Sequence, residues 1–283
     1  MARKSLREVL RRQMTDAADD LRTRVEGARW YHAMRLPGDI VTPGDYDLED
    51  TVARVPLPQS LAGKRCLDVG TRDGFWAFEM ERRGGSEVVA IDLDDPDAVD
   101  WPGARPQLSP DARAGLDRRE PAFEIAHDAL GSSVERRNLS VYDLDANEVG
   151  QFDFAFIGTL LLHLRDPVGA LTAIERVLRS GGQLISNDPI ALAQTLLHPR
   201  TPYAVMQMRG GPFWWVGNLA ARRRMMEAAG FEVLAAGRPY LMRYGTGWQR
   251  QPLPRRPSEL RELPRRLLLR RGAIHAWVLG RAG

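Results

Sequence analysis

The clearest pattern of hydrophobic and polar positions lies between residues 64 and 93. Two short apolar runs, 66–69 and 88–91, end at Gly70 and Asp92 respectively. Between them, large apolar residues recur at helical spacing over 75–80, with charged residues at the intervening positions. This pattern predicts a strand, a tight turn, a helix and a second strand, which together form the first half of a nucleotide-binding α/β unit.

The turn after the first strand carries the chemistry of such a unit. Gly70 and Gly74 allow the backbone to turn tightly and to approach a ligand closely. The free N–H groups at the start of the helix point toward a polar or anionic group. Asp92 lies about twenty residues beyond the turn. An acidic residue at this spacing typically accepts hydrogen bonds from the hydroxyls of a ribose. The turn lacks G-x-G-x-x-G, so it is not the dinucleotide fingerprint.

Five further runs predict the remaining strands of a seven-stranded sheet, at 138–142, 152–158, 183–187, 231–234 and 273–279. Helical patterns lie between them, at 122–130, 168–178 and 218–229. Gly181 and Gly182 are expected to end the second of these helices. The alternation of strands and helices indicates a Rossmann-like α/β fold, a mostly parallel sheet with helices on both faces.

The N-terminal segment shows a different pattern. Apolar residues at three- and four-residue spacing predict a helix from Ser5 to about Arg29, either a lid over an active site or a helix packed on the core. Trp30, Tyr31 and His32 follow, before a loop rich in proline and glycine. Aromatic residues beside a histidine are typical of a ligand wall, and equally of a hydrophobic anchor.

We divide the chain into an N-terminal helical cap, residues 1–60, and a main domain, residues 61–283. The main domain contains an irregular insertion after the fifth strand, at about 189–217, in which Trp214 and Trp215 are adjacent. Aromatic residues in a long insertion after a strand favour a substrate cover, with a satellite hydrophobic cluster as the alternative.

His163 is the candidate general base that the pattern places best. It follows the fourth predicted strand, which ends at Gly158, and ligands of open α/β sheets bind beyond the carboxyl ends of the strands. A histidine there could deprotonate a hydroxyl nucleophile. A structural hydrogen-bonding role is the alternative for a single histidine in an apolar stretch.

Composition bounds the function classes. Apolar residues make up 43% and charged residues 27% of the 283 positions, which is typical of a globular protein. The net charge of +3 is too small to argue for nucleic-acid binding by itself. Cys66 is the single cysteine, so no disulfide within the chain is expected. We see no signal peptide, no run of transmembrane length and no metal-ligand motif, and expect a cytoplasmic protein without a metal site.

The C-terminal region adds one further charged feature. Many arginines lie among prolines between Gln249 and Arg271. They could contact phosphate, as in an RNA-binding protein, or form a solvated connection to the last strand.

The first turn resembles that of class I S-adenosylmethionine (SAM) dependent methyltransferases. Asp68, Gly70 and Gly74 carry the family's D-x-G-x-x-x-G pattern, while Arg72 stands where the family usually has a third glycine. The resemblance runs from about Gly27 to Leu241, through AID, VYDLD, HLRDP, GGQLIS and PFWWVGN. Over this range the sequence is similar to one branch of the family, which includes tRNA wobble-uridine methyl- and carboxymethyltransferases as well as small-molecule methyltransferases.

The resemblance implies a donor site for SAM, with S-adenosylhomocysteine (SAH) as product. It places the methionine end near Asp68, Gly70 and Gly74, the ribose at Asp92, and adenine beside Asp143 and Leu144, although Asp143 could instead cap the next turn. The complete set of implied donor-site residues is Asp68, Gly70, Thr71, Gly74, Asp92, Leu93, Asp143, Leu144 and Gly158. The implied acceptor-site residues are Trp30, Tyr31, Trp214, Trp215 and Asn218.

The reaction implied is in-line methyl transfer to the oxygen of a small molecule, such as a sugar or a secondary metabolite, with His163 or His32 as base. A tRNA wobble-uridine O-methyl- or carboxymethyltransferase is the first alternative, and its partner would be tRNA. A non-catalytic SAM-binding protein is the second. We expect no membrane partner, and the oligomeric state, a homodimer included, stays open.

Overall fold

A ten-stranded sheet runs through the part of the chain that the computed structural model describes, which is residues 16–95, 98–102, 121–206, 213–249 and 270–283. The strands of the structure are β1 (His32–Ala33), β2 (Arg35–Leu36), β3 (Ile40–Val41), β4 (Tyr46–Asp47), β5 (Arg65–Val69), β6 (Glu87–Asp92), β7 (Glu135–Asn138), β8 (Phe152–Gly158), β9 (Leu178–Pro189), β10 (Ala204–Met206), β11 (Trp215–Gly217), β12 (Glu232–Ala236), β13 (Tyr240–Tyr244) and β14 (Gly272–Arg281). The helices are α1 (16–27), α2 (Glu49–Arg54), α3 (Phe75–Arg82), α4 (Pro121–Leu130), α5 (Ala146–Val149), α6 (Pro167–Arg176), α7 (Leu192–Leu197) and α8 (Leu219–Ala228).

The strand order confirms the predicted fold. The main sheet has the order β1-β4-β13-β14-β9-β8-β5-β6-β7, and β12 pairs with β14. Neighbouring strands from β9 to β7 are parallel, whereas β14 is antiparallel to its partners. Because the chain goes from β5 to β6 and β7 on one side and returns to β8 and β9 on the other, the strand order reverses between β5 and β8. Open α/β sheets bind ligands at such a point.

Two predicted boundaries were wrong. The third strand was expected at 138–142 but lies at Glu135–Asn138, and Val141–Asp143 forms a single 3-10 turn. The strand's sequence, ERRN, has no apolar residue because β7 is an edge strand with exposed positions. Gly181 and Gly182 lie inside β9, whereas helix α6 ends earlier, at Arg176.

Three additional short strands join the N-terminal region to the sheet. β13 pairs with β14, β4 pairs with the last residues of β13, and β1 pairs with β4. Since β13 runs in the same direction as β9, its last residues lie at the carboxyl edge of the sheet. The segment 30–47, which we call the strap, therefore lies along that edge.

The core has two parts, one on each face of the sheet. On one face, Cys66, Phe154 and Phe156 pack with Trp76 of α3 and with Trp30. On the other face, residues such as Leu67, Val69 and Ile157 pack with α6 and α8. The described helices include none that is both long enough and apolar enough to cross a membrane.

The packing at Gly74 generates a stability prediction, with Gly63 as the matched control. Both have positive φ, +87° and +72°, so alanine at either position carries a left-handed backbone cost of about 1–2 kcal/mol. A Cβ at Gly74 would also lie 2.3 Å from the Phe78 ring and 2.9 Å from Phe123, whereas nothing lies within 4 Å at Gly63. We expect Gly74→Ala to lower the free energy of unfolding by about 3 kcal/mol or more, and Gly63→Ala by about 1. Urea denaturation measures both; equal losses would contradict the packing argument.

Candidate active site

The turn after β5 has the geometry of a ligand cradle. Gly70 and Thr71 donate backbone hydrogen bonds to the carbonyl of Ile91, at 2.9 and 3.1 Å, and so join the tips of β5 and β6. Gly70 has φ +77° and Arg72 has φ +56°. Arg72 thus adopts the left-handed conformation that a glycine would adopt easily, at a cost of about 1–2 kcal/mol. The departure from the three-glycine pattern leaves the path of the turn intact.

Asp92 connects the turn to the second strand. Its Oδ2 accepts a hydrogen bond of 2.7 Å from the Arg72 amide, which offsets part of the backbone cost there, and its Oδ1 accepts one of 2.8 Å from the Leu93 amide. Each carboxylate oxygen can accept further hydrogen bonds. Asp92 is therefore held at the strand tip in a position to accept from the hydroxyls of a ribose.

Asp68 is a buried carboxylate with one oxygen that the described residues leave without a hydrogen bond. It is 1% exposed, and burial raises its pKa from 3.8 to about 7. Neither Asp68 Oδ2 nor Thr71 Oγ1 makes a hydrogen bond of normal geometry within the described residues. A buried charge of this kind is stabilised by an ammonium or another positive group. These two orphaned oxygens fit the methionine end of SAM, which carries an ammonium.

The strap is fastened to the turn by Asp73. Oδ2 of Asp73 accepts hydrogen bonds of 2.7 Å from the amides of both Tyr31 and His32. Oδ1 pairs with Nδ1 of His32. Both side chains are buried. One carboxylate thus holds backbone and imidazole of the strap against the glycine turn.

This contact determines which nitrogen of His32 can act as a base. The Asp73 carboxylate accepts the hydrogen on Nδ1, so the lone pair of the neutral ring is on Nε2. No described residue makes a hydrogen bond to Nε2. His32 also influences the pKa of Asp68, which it lowers, and its ring lies 5.5 Å from that of Phe75. An aspartate-oriented histidine beside the cradle has the arrangement of a general base.

Asp100, in the segment after β6, connects residues that follow β7 and β8. Its carboxylate accepts hydrogen bonds from the Tyr142 hydroxyl at 2.8 Å and from the Arg165 amide at 2.9 Å. The carbonyl of Asp100 accepts from the Trp214 indole at 2.9 Å, and that of Arg165 accepts from Trp215 at 3.2 Å. Both tryptophans are half-buried and connect the insertion to these residues. Asp143 is exposed and Leu144 buried next to it, beside Tyr142.

Two predicted acceptor-site residues, Trp30 and Asn218, are buried in the structure. Trp30 is 1% exposed and donates its indole hydrogen to the Val25 carbonyl at 2.9 Å, so it anchors the strap in the core. Asn218 is fully buried and caps helix α8 by accepting from the Ala221 amide at 2.8 Å. Its amide nitrogen donates to three carbonyls of the insertion. The polar groups of both side chains are therefore engaged in hydrogen bonds within the fold.

His163 and His32 lie in different surroundings. His163 ends the 3-10 turn Leu161–His163, and its ring lies 5.1 Å from Phe213 of the insertion. Gly158, the last residue of β8, pairs with Asn187 of β9. The described residues contain no cluster of three histidine, cysteine or acidic side chains that could hold a metal ion.

Several site residues had no signal in the sequence. Asp73 looks like any polar residue of a turn, and only its contact with His32 shows its role. A second group, Thr159, Asn187, Tyr240 and His275, meets at the carboxyl ends of β8 and β9. Asn187 accepts from the Tyr240 hydroxyl at 2.7 Å, and its carbonyl accepts from the Thr159 amide at 2.9 Å. These residues come from distant parts of the chain, so no local spacing connects them.

Comparison with known proteins agrees with this geometry. A family model described as a methyltransferase domain matches residues 43–236. A tRNA U34 carboxymethyltransferase of Pseudomonas paraeruginosa is 30% identical over 181 residues, 63% of this chain and 48% of the relative. A ubiquinone biosynthesis O-methyltransferase of Xanthomonas oryzae pv. oryzae is 34% identical over 137 residues, 47% of this chain and 48% of the relative. The chain thus spans about half the length of the curated relatives it matches.

The fold has a counterpart among solved structures. The N-terminal domain of EvdMO1, crystallised with SAH and D-fucose, superposes with a TM-score of 0.54 and 18% identity, over 96% of this chain and 97% of that one. At this identity the likeness concerns the fold alone, and it supports the Rossmann-like arrangement of strands described above.

The burial of Asp68 predicts a pH-dependent stability. Its pKa is raised to about 7 from 3.8, so the folded protein holds this proton more tightly than the unfolded chain. Protonated Asp68 stabilises the folded state, and this contribution to the free energy of unfolding is lost as the pH rises from about 4 to about 7. Asparagine stays neutral throughout. We compare the melting temperatures of ligand-free Asp68→Asn and wild type at each pH. The difference, variant minus wild type, is expected to increase by several degrees between about pH 5 and pH 8. Scanning fluorimetry measures this; a difference that is constant with pH would contradict the raised pKa of this buried carboxylate.

Proposed function

Because the chain belongs to the methyltransferase-domain family, we propose that it is a SAM-dependent O-methyltransferase that acts on a small molecule. The observation that carries the proposal is the buried pair of Asp73 and His32. Asp73 is a residue of the glycine turn, so the pair holds His32 next to that turn. It brings a candidate base to the point where the strand order reverses between β5 and β8.

The donor would be held by the two acidic strand tips. Asp68 would pair with the ammonium of the methionine end, and Asp92 would accept from the ribose hydroxyls while Gly70 and Thr71 form the floor. Asp143 and Leu144 would lie beside adenine. When bound, SAM supplies a methyl group made electrophilic by the positively charged sulfonium. The protein's task is then to align the acceptor oxygen and to remove its proton.

His32 is the base we propose, in preference to His163. Its Nε2 would accept the proton of the acceptor hydroxyl, and the Asp73 carboxylate would stabilise the resulting imidazolium. The two backbone hydrogen bonds from the strap to Asp73 keep the ring in place during this transfer. His163 lies with the insertion instead, where its ring is 5.1 Å from that of Phe213.

The acceptor would meet aromatic side chains. Tyr31 of the strap lies 5.1 Å from Tyr46, which lies 5.3 Å from Tyr244, and the Arg72 guanidinium lies 5.5 Å from the Tyr31 ring. Tyr31 and Tyr244 are half-buried, whereas Tyr46 belongs to the core. The exposed parts of Tyr31 and Tyr244, with the Arg72 cation beside Tyr31, would suit a planar ring or the apolar face of a sugar. Trp214 and Trp215 would cover the acceptor from the insertion.

A tRNA wobble-uridine O-methyl- or carboxymethyltransferase is the second candidate, favoured by the relative from Pseudomonas. The arginines expected to contact RNA lie outside the described residues, except for Arg270 and Arg271. A gel shift with tRNA at two salt concentrations separates the candidates. Strong binding that weakens steeply with salt would replace the small-molecule proposal.

Donor binding is the first test. We expect SAM and SAH to bind in calorimetric titrations, and Asp92→Ala to weaken SAM binding by about tenfold or more, because it removes the acceptor of the ribose hydroxyls. The control is Glu148→Ala, an exposed acid in the helix that precedes β8. Unchanged affinity in Asp92→Ala would remove Asp92 from the site, and absent binding of both ligands to wild type would refute the proposed function.

The base assignment is tested on turnover. A panel of sugars and phenols incubated with methyl-labelled SAM identifies an acceptor. With it we expect His32→Gln to lower kcat about 100-fold or more, while SAH affinity changes little, because proton removal is lost and donor binding is kept. His163→Gln serves as the comparison and should lower kcat less than about tenfold. The reverse ranking would make His163 the base, and full activity in both variants would indicate an acceptor acidic enough to need none.

A further inference from the structure

We propose that the Thr159 hydroxyl, oriented by His275, contacts the transferable methyl group of the donor and so makes the site prefer SAM to SAH. The inference rests on the proposed function, because it assumes that the cradle between β5 and β8 holds SAM. It adds a residue that recognises the charged donor rather than the product.

Thr159 lies at the tip of β8, next to the turn that would hold the donor. It directly follows Gly158, the end of β8, and Ile157 of the same strand pairs with Val69, the residue before Gly70. The next residue, Leu160, touches the turn, since a Cβ on Gly70 would lie 2.9 Å from Leu160 Cδ2. The Thr159 backbone is thus at the tip of β8, beside the methionine end of the cradle.

The backbone of Thr159 is strained. Its φ of +53° is in the left-handed region, where a β-branched residue is a genuine outlier. The conformation is held by the hydrogen bond of 2.9 Å from its amide to the Asn187 carbonyl. Outliers of this kind concentrate at functional sites, where the surrounding structure fixes them. A residue without β-branching would adopt this backbone conformation with less strain. The presence of threonine therefore suggests that its hydroxyl has a function.

His275 determines the direction of that hydroxyl. The imidazole is fully buried on β14, and its Nδ1 lies 3.1 Å from the Ala273 carbonyl, which can only accept. Nδ1 therefore carries the hydrogen, and Nε2 is an acceptor, 3.3 Å from Thr159 Oγ1. Burial lowers the pKa of His275 to about 4, so Nε2 stays unprotonated at neutral pH. The hydrogen of the Thr159 hydroxyl is thereby directed to His275.

The consequence is a hydroxyl oxygen that has only lone pairs left to offer to a ligand. The methyl hydrogens of a sulfonium are polarised by the adjacent positive charge and form weak C–H···O contacts. SAH has neither the methyl group nor the charge. An oxygen that had a free hydrogen to donate would distinguish the two ligands less well. The Thr159–His275 pair would therefore stabilise bound SAM and leave bound SAH unaffected.

The test is a pair of matched substitutions. Thr159→Val keeps the shape and the β-branching but removes the hydroxyl, whereas Thr159→Ser keeps the hydroxyl. Calorimetric titration with SAM and with SAH gives the ratio of the two affinities. We expect Thr159→Val to weaken SAM binding about three- to fivefold and to leave SAH binding within about twofold, and Thr159→Ser to keep the wild-type ratio.

The outcomes separate this inference from the proposed function. If wild type binds neither ligand, the donor site itself is wrong. If wild type binds both but Thr159→Val weakens them equally, the hydroxyl is structural and the inference is overturned. Should Thr159→Val not fold, as thermal melting would show, Thr159→Ala against Thr159→Ser gives the same comparison.

Discussion

The arrangement of the site depends on the carboxylate of Asp73. It accepts hydrogen bonds from the amides of Tyr31 and His32 and pairs with the His32 imidazole, and all three partners come from the strap, about forty residues earlier in the chain. Because both side chains are buried, the contact is weakly screened and would be costly to break. The contact adds to the two other attachments of the strap, which are the pairing of β4 with β13 and the burial of Trp30 in the core. One carboxylate therefore joins the glycine turn, the candidate base and the rest of the strap.

The two carboxylates of the cradle, Asp92 and Asp68, differ in how far the protein satisfies their hydrogen bonds. Asp92 is satisfied by backbone amides before any ligand arrives, so it is a rigid part of the turn. Asp68 is buried with an oxygen that the described chain does not satisfy. The first arrangement gives precise placement of a neutral partner such as a ribose. The second would favour a ligand that brings positive charge, such as the ammonium at the methionine end of SAM.

The sequence was informative where local patterning and burial coincide. β5 and β6 are continuous apolar strands next to glycines, and both were predicted close to their observed bounds. β7 is made of charged edge residues, so its pattern was indistinguishable from a loop, and the two-residue strands β1 and β4 have no periodicity at all. The acidic residues at the tips of β5 and β6 could be predicted as donor-site candidates because the motif and the spacing that mark them are local. Asp73 and His275 could not be found in this way, since their roles arise from contacts across more than forty and more than one hundred residues.

Strand β14 is paired along its length with three different strands, β9, β12 and β13. The same strand thus completes the central sheet and attaches the strap through β13 and β4. It is also the last described element to leave the ribosome, and it carries His275. During synthesis, the nucleotide-binding half from β5 to β9 can form its parallel pairs first, while the strap has nothing to add its strands to. A nascent chain would therefore form the donor cradle between β5 and β8 before the strap can join the sheet. The strap can join only after β14 has been synthesised, because it is attached to β14 through β13 and β4.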